Sequence, residues 1–165
     1  MVLRYGSLYG GVSVNTFSPF NQCFLDSCDT KPPRKVSFMS FVERLNITYL
    51  SQAADCVEAV TPVDDGVKQP FGYLHGGATI ALLETLASQG AVLSCADGQK
   101  PFAVDVHVAH RSSMRDGSVY ACGRLAKTQT TSKGYAKQTW EVCACAQDAH
   151  GPVVSEGTVI CLLVP

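Results

Sequence analysis

His75, Gly76 and Gly77 stand in a row, and one carboxylate, Glu84, follows them in a segment otherwise apolar but for Thr79, Thr85 and Ser88. If the glycines open a helix, their backbone N–H groups have no intrahelical acceptor and project from an end that carries partial positive charge. Such an amide polarises a carbonyl. A partly desolvated carboxylate two turns further on is a base or a nucleophile, and the two together are equipment for acyl chemistry. Ser88, one turn past Glu84, shares its helical face, where a hydroxyl can hold a water or the carboxylate. Each residue also has a plainer reading: Glu84 as an ion-paired structural carboxylate, His75 as a helix cap, and Ser88 as a small residue where helices pack closely.

The elements that must position these groups follow from the surrounding pattern. Gln69 to Ser88 passes from turn formers into a helix expected over Gly77 to Ser94, with Asp97, Gly98 and Pro101 as its breakers. Ile80, Leu83, Ala87 and Ala91 follow one face, while Ala81, Leu82, Leu86 and Val92 fill the others, so the helix is expected to be buried nearly all round. A short amphipathic helix is expected over Val36 to Leu45, and strands over Asn46 to Ser51 and Asp55 to Pro62. Beyond the long helix, Phe102, Val104, Val106 and Val108 alternate with Ala103, Asp105, His107 and Ala109, the period of a half-buried strand. Three more strands are expected at Ser118 to Thr130, Ala136 to Gln147 and Val153 to Val164. The four consecutive strands, joined by turns, predict an antiparallel meander. The result is an α+β architecture, one long apolar helix across the concave face of a curved antiparallel β-sheet, with a flank left for a second copy to cover.

The 165 residues suit one domain with a substantial core. A formal net charge of -1 offers no basic field for nucleic acid, and no Lys/Arg cluster suits an anionic membrane. Glu84, Gln89 and the hydroxyls argue against a membrane-spanning reading of the long helix. The expected partner is a small molecule. The eight cysteines show no disulfide-framework spacing and are expected to be structural residues in a reducing cytosol. Cys143 and Cys145 share a strand face, but neither CxxC nor HExxH accompanies them, and no metal is expected. His107 and His110 are assigned to opposite faces of their strand, which argues against a shared metal. Residues 1 to 35, ending in a Pro32-Pro33 break, read as an appended arm of unknown role or as the product of an upstream start with Met39 the initiator; residues 36 to 165 form the expected domain.

The run HGGATIALLETLAS followed by these strands resembles the hotdog-fold acyl-CoA thioesterases, and within them the aryl-CoA branch of the Arthrobacter-type 4-hydroxybenzoyl-CoA and the 1,4-dihydroxy-2-naphthoyl-CoA thioesterases. The resemblance spans roughly Phe38 to Val164 and rests on Gln69, His75, Gly76, Glu84 and Ser88 at the family's spacing. It implies that the Gly76 N–H polarises the thioester carbonyl, that Gly77 beside it helps to bind the substrate, that His75 and Gln69 place the substrate, and that Glu84 attacks the carbonyl carbon or activates water. It further implies that Gly76 and Glu84 at one thioester come from different subunits, so the enzyme is a homodimer or homotetramer. His110 falls where relatives place a histidine beside the site. Arg111, Arg115 and the turn Lys133, Gly134 and Tyr135 are candidates for binding coenzyme A, which enters as part of the substrate and product, with no separate cofactor. The expected activity is hydrolysis of an acyl-CoA with an aromatic or other compact acyl group, in the cytoplasm. A non-catalytic acyl-CoA-binding module and a hotdog dehydratase are the alternatives; the first needs no carboxylate at Glu84, and the second carries its acid and base in another motif.

Overall fold

The computed structural model describes residues 40–165. The expected arm of residues 1 to 35, the start of the predicted Val36 to Leu45 helix, and Cys23 and Cys28 lie outside the described residues.

Ser40 and Glu43 form a capping box, the Ser40 hydroxyl accepting from the Glu43 N–H at 3.2 Å and the Glu43 carboxylate from the Ser40 N–H at 2.6 Å. They start the one-turn helix α1 (Phe41–Arg44). Strands β1 (Thr48–Gln52) and β2 (Cys56–Pro62) pair antiparallel as a hairpin. The long helix α2 (Gly76–Leu93) follows the loop from Val63 to His75 and leads to β3 (Lys100–His110). β4 (Ser118–Thr130), β5 (Ala136–Ala146) and β6 (Val153–Val164) complete the chain.

The six strands form one sheet in the order β1-β2-β4-β5-β6-β3, so only β4, β5 and β6 run as a meander. The expectation of four consecutively paired strands is corrected at β3. Its place beside β4 is taken by β2, which pairs from Cys56 opposite Arg124 to Pro62 opposite Ser118. β3 instead lies antiparallel to β6 at the far edge. The alternation predicted along β3 is also interrupted, because the register shifts between Ala103 and Asp105. A bulge turns the strand by one residue. Pro101 and Ala103 are half-buried before it and Val106 and Val108 after it, whereas Phe102 and Val104 remain 55% and 54% exposed.

Helix α2 lies against one sheet face through Thr79, Leu82, Leu83, Leu86, Ala87, Gly90 and Ala91, a stripe with helical spacing. Its other side is only half-buried, so the expectation of burial all round holds for one stripe within a single chain. The centre of contact is Gly90 over Trp140. A Cβ on Gly90 would overlap the indole ring, so the close approach requires glycine. Trp140 is fully buried; its Nε1–H donates to Gln138 Oε1 at 3.1 Å, and Gln138 Nε2 donates to Ser94 Oγ at 2.8 Å. This chain of polar bonds ties the C-terminus of α2 to β5 with the buried amide satisfied on both sides. The whole is the curved antiparallel sheet and single long helix of the hotdog architecture.

Candidate active site

Helix α2 begins where the sequence places its glycines. His75 is the N-cap, its Nδ1 accepting from the Gly77 N–H at 2.9 Å, and its main-chain carbonyl accepts from Ala78. The capping reading of His75 is therefore part of its role. Its cap leaves the first helical amide, Gly76 N–H, without a protein acceptor among the described residues. That amide stands at the positive end of an 18-residue helix.

The lead-in loop is pinned on both sides. Leu74 N–H donates to the Met114 carbonyl, His75 N–H to that of Val67, and the Gln69 main chain makes a turn with Gly72 and Tyr73. The Gln69 side chain is half-buried beside this turn and forms no hydrogen bond among the described residues. Arg115 lies over the Tyr73 ring at 4.1 Å from its centroid and donates to the Tyr73 hydroxyl at 2.8 Å.

His110 reaches the same place from the end of β3. Its Nε2 stands 2.6 Å from where a Cβ on Gly76 would lie, and its Nδ1 is 2.8 Å from the hydroxyl of Ser155, which is fully buried. The structure thus gathers Gln69, His75, Gly76, Gly77, His110 and Arg115 around the N-terminus of α2. Arg111, just beyond, is held outward by Glu156 in an exposed ion pair at 2.9 Å.

Glu84 and Ser88 lie further along α2. Both line an open cleft of about 400 Å³ together with Phe41, Tyr49, Thr85 and Val92. A second cleft, of about 740 Å³, runs past His75, Gly77 and Lys68, and Phe41 forms a wall of both. Beneath Ser88 and Glu84 lies Cys161 of β6. Burial pushes its thiol up to about 11; the Ser88 hydroxyl opposes that rise and the Glu84 charge adds to it. Glu84 and Ser88 share a face, as their spacing predicts. Gly76 is eight residues from Glu84, about 12 Å along a helix axis, so the two do not reach one carbonyl within a chain.

The turn Lys133, Gly134 and Tyr135 joins β4 to β5, with Gly134 at φ +82° and the Tyr135 N–H bonded to Thr131 Oγ1 at 2.9 Å. It caps the end of β4 opposite Ser118, and β4 is 13 residues long, about 40 Å at the usual strand rise. Within one protomer this turn does not join the group around Gly76. Two neighbours escaped the sequence reading, Ser155 behind His110 and Cys161 behind Ser88. Both come from β6, and no local spacing carries a signal for them.

The family model described as the thioesterase superfamily matches residues 71–152. The chain is 37% identical over 103 residues to the proofreading thioesterase EntH of Cronobacter sakazakii, covering 62% of this chain and 72% of that protein. Among solved structures, a thioesterase from Haemophilus influenzae is 25% identical with a TM-score of 0.67, covering 91% of this chain and 92% of its own. A mutant thioesterase from Staphylococcus aureus is 27% identical with a TM-score of 0.68, covering 75% of this chain and 98% of its own. Among the described residues, no helix is long and apolar enough to cross a membrane.

Proposed function

The chain belongs to the thioesterase superfamily and is a thioester hydrolase, and from that premise we propose that it cleaves an acyl-CoA with an aromatic or other compact acyl group at a site shared between two protomers. The observation that carries this reading is the separation along α2. An unengaged amide at Gly76 and a cleft-lining carboxylate at Glu84 are each suited to the reaction, yet about 12 Å of helix divides them. Two antiparallel copies of α2 would set the Gly76 of one against the Glu84 of the other.

In this scheme the Gly76 N–H donates to the thioester oxygen and binds it more strongly as negative charge develops there. Glu84 takes a proton from water as the water oxygen bonds to the carbonyl carbon; the C–S bond then breaks and the proton passes to the departing thiolate. In the nucleophilic variant, the Glu84 oxygen itself bonds to the carbonyl carbon, the thiolate leaves, and water cleaves the resulting anhydride. Ser88 holds the water or the carboxylate, and His75, Gln69 and His110 shape the mouth. Arg111, Arg115 and a partner's Lys133 to Tyr135 turn are the groups offered to the phosphates of coenzyme A.

Pairing has a ready surface. β3 is an edge strand with Phe102 and Val104 exposed, and it packs beside α2, whose Val92 and Leu93 are also exposed. An apolar edge of this length invites a second β3. The test is subunit complementation. Glu84→Ala and Gly76→Pro are each inactive as homo-oligomers, and mixed protomers regain up to about a quarter of wild-type activity, since random pairing gives half heterodimers with one intact site each. No recovery in mixtures shown to exchange subunits sinks the shared site, and no turnover of any acyl-CoA by the wild type sinks the substrate class.

A further inference from the structure

The sheet face turned away from α2 carries a group of thiols that the hydrolytic site does not use. Gly123 of β4 faces the helix, a Cβ there meeting Leu86 and Ala87, so its neighbour Cys122 faces outward. Cys56 of β2 reaches the same spot from the adjacent strand, its Sγ 4.0 Å from that of Cys122. Glu58 lies directly across the ladder from Cys122. One oxygen of its carboxylate and the two sulfurs all lie within 4.8 Å of one another.

We propose that Cys56, Glu58 and Cys122 form a binding site for a thiophilic divalent cation, with zinc the natural occupant. The sulfur spacing suits a shared ion. Tetrahedral zinc with bonds to sulfur near 2.3 Å sets its sulfurs about 3.8 Å apart, close to the 4.0 Å observed. Two thiolates with one carboxylate suit zinc better than the hard cations that choose oxygen alone.

Further groups complete the site. The Tyr120 hydroxyl donates to Glu58 Oε1 at 2.5 Å, fixing the carboxylate as a supporting group does around a bound metal. Arg124 is the ladder partner of Cys56, and its charge offsets the surplus negative charge of two thiolates and a carboxylate around a divalent ion. Beside the site, Cys122, Arg124 and Cys143 help to line a groove of about 560 Å³, which gives a water room to serve as a fourth ligand. The ligands come from two neighbouring strands, so the ion staples β2 to β4. The site lies across the sheet from Glu84 and stands independently of the proposed hydrolytic mechanism.

Cobalt titration of the full-length protein, kept reduced by a phosphine, reads the site directly. One equivalent of Co²⁺ should give thiolate-to-metal charge transfer in the near ultraviolet and the visible bands of a tetrahedral ion, both lost when Zn²⁺ is added. Cys56→Ser and Cys122→Ser should each abolish the charge-transfer signature, Cys95→Ser should retain it, and Tyr120→Phe should weaken binding by about tenfold. Zn²⁺ should raise the melting temperature of the wild type and of Cys95→Ser but not of Cys56→Ser. The proposal is overturned by reduced wild type that gives no such bands. It is equally overturned by bands that persist undiminished in the double variant Cys56→Ser, Cys122→Ser, or by the finding that the two thiols resist reduction as a disulfide.

Discussion

The imidazole of His110 occupies the space that any side chain at position 76 would need, its Nε2 lying 2.6 Å from the site of a Cβ on Gly76. The ring cannot simply turn aside, because Nδ1 is bonded to the buried Ser155 hydroxyl at 2.8 Å. Glycine at the first helical position is thus required by the packing of β3. Gly76→Ala should lower kcat/KM by at least about tenfold by displacing the ring or the helix end. In a double-mutant cycle, Gly76→Ala combined with His110→Ala should cost little more than His110→Ala alone. Additive losses would show that the contact does not couple the two residues.

Glu84→Gln should lower kcat by about 10² to 10⁴ while changing KM little, the pattern of a group that acts in the transition state. Ser88→Ala should cost roughly tenfold if it holds the water through one neutral hydrogen bond. Steady-state kinetics with a thiol reagent measures both. Thermal melting of the variants checks that neither loss comes from unfolding.

Replacing Phe102 and Val104 together by Lys puts charge on the exposed edge of β3. Sedimentation should then show monomers, and activity should fall with the oligomer while the circular dichroism spectrum stays that of the wild type. Fully active monomers would refute the shared site.

Thr61 is 4% exposed, and its hydroxyl has no hydrogen-bond partner among the described residues. Thr61→Val keeps the shape and removes the unsatisfied group, and should stabilise the protein by about 1 kcal/mol in denaturant titration. Gly90→Ala should do the reverse by about 1–3 kcal/mol, since the added methyl meets Trp140.

Cys161 gives a pH dependence of definite sign. Its thiol is raised from an ordinary 9.0 to about 11, chiefly by burial. The folded protein therefore favours the protonated thiol more than the unfolded chain does. The stabilisation is complete below the unfolded value and is lost as pH rises through the folded one. Urea stability should be level up to about pH 9 and fall towards pH 11, with a shallower fall in Cys161→Ala. Parallel curves for the two proteins would remove Cys161 as the cause.

Much of this was legible in the chain because the informative patterns are local. The glycine pair and the apolar run located α2 to within a residue at each end, and β4 and β6 match the strands expected from Ser118 to Thr130 and Val153 to Val164. Strand order was not legible. Whether β3 joins β4 or β6 depends on β2 taking the edge of β4, a pairing between segments some sixty residues apart with no local mark. The bulge near Val104 was hidden for a related reason, since the residues around it keep an alternating sequence while the backbone does not. At the site, His75, Gly76, Glu84 and Ser88 could be read from one helix. Ser155 and Cys161 reach it only through the register of β6, and the outward thiols of Cys56 and Cys122 meet only through that of β2 and β4.

Trp140 is the chain's one tryptophan, and it lies fully buried beneath Gly90. The molecule therefore carries its own optical gauge of how α2 is seated. Emission from this indole stays blue while the helix rests on the sheet and reddens when water enters beneath it. Because the indole lies under the far turns of α2, away from Gly76, its signal distinguishes lifting of the helix from events at the mouth.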